Sequence, residues 1–104
     1  IVLGTPEFMS PEQIRGKPMD QRSDIYGLAV LAFELLTGEL PFEGANAQAT
    51  MLNHLTGKPR RLRDVRGSIP QAVDDAINRA LDVEPARRFG SMGEFAEALR
   101  RAAA

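Results

Sequence analysis

Between Ile25 and Leu36 the chain reads IYGLAVLAFELL, an apolar run in which Tyr26 and Glu34 are the only ionisable side chains. On a helical wheel Ile25, Leu28, Leu31, Ala32, Leu35 and Leu36 form one broad arc, and Val30 and Phe33 lie on the other side. A helix that is apolar all round is normally buried all round. At this length a core helix fits better than a membrane span. Ser23 and Asp24 are predicted to cap its first turn, Gly38 to end it in a left-handed conformation, and Pro41 to block a restart. The run therefore predicts a buried central helix over residues 22–37, with the remaining elements hung from it.

The rest of the composition sets bounds on function. A length of 104 residues fits one domain. A net charge of −1 gives no support to nucleic acid or a membrane surface as an overall partner. With no cysteine, disulfides and thiolate metal sites are excluded. No signal peptide or spanning segment is evident, which favours a cytoplasmic setting. The sequence opens on Ile1 rather than methionine, directly against a functional-looking loop, and reads as a piece of a longer protein.

Five helices and no strand are predicted, an all-α fold. Residues 1–3 read as extended chain. Ser10 and Gln13 have capping-box spacing around Pro11, predicting a short helix near residues 11–15 that Gly16 closes. Asn46 is placed to cap a helix that ends at Gly57, with Met51, Leu52 and Leu55 on its packing face. Residues 58–69 read as an extended connection. Ser68 is predicted to cap the next helix, whose Val73, Ala76, Ile77, Ala80 and Leu81 follow helical periodicity. Residues 82–90 form a turn, and Ser91 with Glu94 is a second capping box leading a helix over residues 92–101. His54 has no second histidine or acidic cluster nearby and reads as a surface residue. Lys58, Arg60, Arg61, Arg63 and Arg66 lack interleaved aromatics, so a solvated loop is favoured over a nucleic-acid contact.

Three motifs give the chain a family resemblance. GTPEFMSPE (residues 4–12) resembles the end of a protein kinase activation segment, with Ser10-Pro11-Glu12 where Ala-Pro-Glu is usual. RSDIYGLAVLAFELLTGELPF (residues 22–42) resembles the central helix of the kinase large lobe and the loop after it. ALDVEPARRF (residues 80–89) resembles the Asp-Pro-x-x-Arg turn before the last helix, with Glu84 in place of Asp. The Gly-Thr-Pro opening resembles serine/threonine kinases, with a bacterial flavour in the Ser-Pro-Glu-Gln and Arg-Phe motifs.

The resemblance implies a partial kinase domain over residues 1–104: the end of the activation segment (1–16), the central helix (22–37) and the remaining large-lobe helices (46–101). It also implies roles for individual residues. Glu12 would pair with Arg88 as a structural clamp, and Asp24 would accept backbone N–H bonds from the catalytic loop. Thr5 would support the catalytic base. Val2, Gly4, Thr5, Pro6 and Phe8 would line the docking site for a protein substrate, and Glu34 would attract a basic substrate residue. Phe8 replaces the tyrosine common at its position and lacks that hydroxyl.

The resemblance further implies a parent enzyme that transfers the γ-phosphoryl group of ATP, with magnesium, to serine or threonine of protein substrates. The Gly-rich loop, phosphate-binding lysine, catalytic loop and metal-binding aspartate belong to the upstream half of such a domain. No catalytic, ATP or magnesium ligand is therefore assigned to this chain, which is expected to be inactive without its N-terminal half. The alternative is a pseudokinase lobe that serves as a binding scaffold.

Overall fold

The computed structural model describes residues 5–104. Among these, six α-helices and two short 3-10 helices account for the regular structure, and there is no strand. The 3-10 turn Pro6–Phe8 leads into α1 (Pro11–Ile14), α2 (Gln21–Thr37), α3 (Ala47–Thr56), α4 (Leu62–Val65) and α5 (Gln71–Ala80). A second 3-10 turn, Pro85–Arg87, precedes α6 (Met92–Ala103).

Helix α2 is the centre of the fold, but it starts earlier than the apolar run implies. Its cap is Asp20, whose carboxylate accepts the Arg22 N–H at 2.8 Å. Asp24 is instead an exposed residue of the first turn, and Ser23 is buried and engaged elsewhere. Neither caps the helix, because an extended residue with a suitable carboxylate is already available one turn upstream. Gly38 ends α2 as expected, with φ 77° and its N–H donated to the Glu34 carbonyl.

The core is one-sided. Ile25, Tyr26, Ala29, Val30 and Phe33 are fully buried. They share a cluster with Leu62 of α4, with Val73, Ala76, Ile77 and Ala80 of α5, with Leu81, and with Phe95 of α6. Leu28, Leu35 and Leu36 stay 41%, 76% and 37% exposed. The described helices pack on one flank of α2 and leave a leucine flank open; burial on every face would need the packing partners expected from an upstream half.

Three further expectations are corrected. Residues 62–65 form a helical turn inside the stretch read as extended, closed by the Arg66 N–H on the Leu62 carbonyl. Pro70, not Ser68, occupies the cap position of α5, without a side-chain bond. On α3 the buried residues are Thr50 and His54, whereas Leu52 is 60% exposed. His54 is fully buried because α3 turns that face toward α2 and the Pro6–Phe8 turn.

The Ser10/Gln13 capping box forms in both directions. At α6 the Ser91 hydroxyl accepts the Glu94 N–H, while the Glu94 carboxylate reaches back one residue further, to the N–H of Gly90. Gly44 sits tight against α3: a Cβ there would lie 2.5 Å from the Thr50 backbone nitrogen. The arginines of residues 60–66 are locally engaged. Arg60 meets Glu39, Arg61 meets Asp74 and Asp75, Arg63 meets Gln71, and Arg66 bonds the Leu36 carbonyl at the end of α2.

Candidate functional site

The capping box at Ser10 fixes α1 so that Glu12 points inward. At the other end of the chain, the turn Pro85–Arg87 delivers Arg88 to the same place. The two meet as a bidentate pair: Arg88 Nη1 donates to Glu12 Oε2 at 2.7 Å and Nη2 donates to Oε1 at 2.9 Å. Ser23 Oγ of α2 donates a third bond to Oε2 at 2.7 Å. The rest of the guanidinium is satisfied by the carbonyls of Asp82, Arg22 and Val83. Arg88 is 2% exposed and Glu12 is 7% exposed. Burial alone pushes the Glu12 carboxyl up, but the hydrogen bonds from Arg88 and Ser23 outweigh it and hold the group below its usual range.

This latch continues sideways. The Arg88 guanidinium lies over the Tyr26 ring, 4.8 Å from its centroid, a cation–π contact in a buried setting. The Tyr26 phenol hydrogen-bonds His54 Nδ1 of α3. Burial drives the phenol well above its ordinary range, so it stays protonated and able to donate to the ring. His54 packs on Phe42, which follows α2, with ring centroids 4.6 Å apart. Tyr26 and His54 are the residues that sequence reasoning missed here. A signal existed: a phenol inside a buried apolar run needs a polar partner.

The remaining site residues fall as follows. Thr5, Pro6 and Phe8 share one half-buried turn, held by the Phe8 N–H on the Thr5 carbonyl at 2.9 Å, and this turn packs on α2 and α3. Phe8 lies against the core cluster. Gly27 of α2 sits beneath the turn, and a Cβ there would stand 3.7 Å from the Phe8 carbonyl oxygen. Glu34 is two helical turns further along the same face and half-buried. Asp24 is exposed and apart from the latch. Val2 and Gly4 lie outside the described residues.

With this arrangement in view, comparison with known proteins is decisive. Residues 1–101 match the protein kinase domain family. The chain belongs to the protein kinase domain family. The match extends to serine/threonine kinases of bacteria. Serine/threonine-protein kinase pkn3 of Myxococcus xanthus is 46% identical over 98 residues, covering 90% of this chain and 18% of that protein. Serine/threonine-protein kinase Pkn1 of the same organism is 39% identical over 104 residues, 100% of this chain and 15% of that protein. The crystal structure of the Mycobacterium tuberculosis PknI kinase domain superposes with a TM-score of 0.77 at 33% identity, covering 97% of this chain and 36% of that one. The chain thus spans under a fifth of the length of these curated kinase relatives.

The kinase family implies ATP and magnesium in the parent enzyme. Among the described residues no group of three or more acidic or histidine side chains converges to hold a metal ion. No helix among them is long and apolar enough to cross a membrane. The described residues thus seat the Pro6–Phe8 turn on α2 and join it through α1 to a buried ion pair.

Proposed function

We propose that these residues are the C-terminal part of a serine/threonine protein kinase that transfers the ATP γ-phosphoryl group to serine or threonine of protein substrates in the cytoplasm. The chain would cover the end of the activation segment (1–16), the central helix and the remaining large-lobe helices to residue 101. The docking turn, with Val2, Gly4, Thr5, Pro6 and Phe8, receives the substrate segment around the acceptor hydroxyl. Thr5 steadies the catalytic base contributed by the upstream half, and Glu34 on α2 attracts a basic substrate residue. Asp24 is left exposed at the start of α2, where an upstream catalytic loop would find an acceptor for its backbone N–H groups.

One observation carries this reading. The docking turn is joined through α1 to a bidentate carboxylate–guanidinium pair with both partners buried. Transfer to a protein hydroxyl depends mainly on positioning, because the loose phosphoryl transition state asks little covalent chemistry of the protein. A rigidly anchored docking turn meets that demand.

The test is phosphotransfer from radiolabelled ATP to myelin basic protein by the full-length chain. Label on serine or threonine supports the reading. A full-length chain that binds the protein substrate but transfers no phosphate overturns it.

A further inference from the structure

His54 is buried on all sides, yet only one end of its ring is bonded. Nδ1 is occupied by the Tyr26 phenol, while Nε2 is buried without a hydrogen-bond partner among the described residues. Helix α3 packs on the Pro6–Phe8 turn, whose Pro6 and Glu7 carbonyls and Glu7 carboxylate lie close enough to the ring to favour its charged form. Glu7 Oε2 is likewise buried and unpartnered. The acceptors on the turn side favour the tautomer that carries the ring proton on Nε2, with Nδ1 accepting from the Tyr26 phenol. A buried donor on α3 and a buried carboxylate oxygen on the turn packed against it thus both lack partners among the described residues, and pairing the ring with the turn requires a shift of the turn toward α3.

We propose that His54 is a positioning residue for substrate docking, its Nε2–H taking an oxygen of Pro6 or Glu7 as the docking turn settles on a protein substrate. Helix α3 then sets the height of the turn above α2, through a ring whose other end is tied to the latch by Tyr26. This rests on the docking role proposed above.

The test uses the full-length chain carrying His54→Phe together with Tyr26→Phe. Replacing both members of a buried polar pair with apolar rings of similar shape keeps packing nearly intact, so the double variant is expected to melt close to the parent. Its KM for myelin basic protein is expected to rise about five-fold, the loss of one neutral hydrogen bond, while KM for ATP moves less than two-fold. With myelin basic protein bound, hydrogen–deuterium exchange of the Phe8 and Met9 amides, whose acceptors are the Thr5 and Pro6 carbonyls, is expected to be faster in the double variant than in the parent. Unchanged exchange at both amides, or a parental protein KM in a stably folded double variant, overturns the positioning role. Absence of phosphotransfer in the unmutated chain would overturn the kinase reading alone, since the exchange measurement still decides the role of His54.

Discussion

Glu12 and Arg88 stand 76 positions apart in the sequence and face each other through paired hydrogen bonds of 2.7 and 2.9 Å, shielded from water. Such a pair is costly to break from one side, because the survivor is a buried, uncompensated charge. In the full-length chain Glu12→Ala is expected to cost about 3–5 kcal/mol of stability, and Arg88→Ala a similar amount. The double variant is expected to cost clearly less than the sum. Chemical denaturation of the three variants checks this; additive losses would mean the two side chains do not act as a unit.

Thr5 offers the opposite profile. It is half-buried, and its backbone carbonyl, which an alanine keeps, holds that turn. Thr5→Ala is therefore expected to leave the melting temperature nearly unchanged and to reduce phosphotransfer by the full-length chain about ten-fold or more, in the range of a positioned acid–base partner. Steady-state rates measured beside thermal melts separate it from Glu12→Ala, which loses both.

His54 predicts a dependence on acid. Burial lowers its imidazole from the ordinary 6.5 to about 4, despite the nearby carbonyls of Glu7 and Pro6 and the Glu7 carboxylate, which favour the charged form. Between those two values the unfolded chain takes up a proton that the folded chain refuses, so stability falls as pH falls. From pH 7 to pH 5 this amounts to about 2 kcal/mol. The Glu12 carboxyl, held below 4.5 in the fold, adds a loss in the same direction only at lower pH, as it becomes protonated. The His54→Phe/Tyr26→Phe variant is expected to show a shallower decline over this window. Parallel curves from urea titrations at pH 7 and pH 5 would argue against a neutral buried ring.

Gly44 is tested by its nearest neighbour. An alanine methyl there would press on the Thr50 backbone nitrogen and the Ala49 side chain, at 2.5 and 2.6 Å. Backbone cannot swing aside as a flexible side chain does. Gly44→Ala is expected to destabilise by about 1–3 kcal/mol, read by thermal melting.

The exposed flank of α2 makes a prediction for residues 1–104 expressed alone. Leu28, Leu35 and Leu36 present a contiguous apolar surface. The piece is expected to bind ANS and to self-associate, and polar replacement of these three leucines to suppress both. A monomer with a sharp melt and no dye binding, seen in sedimentation and fluorescence, would contradict this.

Much of the fold was legible because local chemistry decided it. The Ser10/Gln13 box, Gly38 and the periodicity of α5 each follow from a few adjacent residues, and these features stand where they were expected. What stayed hidden depended on distant partners. Apolar character around α2 gave no hint which flank the other helices would cover. An isolated histidine between Asn53 and Leu55 looked like a surface residue until α3 packed its face toward Tyr26 and the Pro6–Phe8 turn. The arginines of residues 60–66 stay mostly exposed, as a solvated loop implies, but the acids that Arg60 and Arg61 meet, Glu39, Asp74 and Asp75, lie elsewhere in the chain. The latch was reachable from sequence only through the kinase motifs, since charge spacing alone does not pair positions 12 and 88.

That separation has a kinetic consequence. Two groups so remote can be held together only after most of the intervening chain has collapsed, since closing so large a loop is entropically unfavourable before other contacts exist. The ion pair then acts as a seal on a finished core rather than a seed for it. Breaking it is expected to hasten unfolding while leaving the folding limb of a chevron almost unmoved. A kinase lobe built this way gains lifetime, more than speed of assembly, from its most conspicuous buried charge.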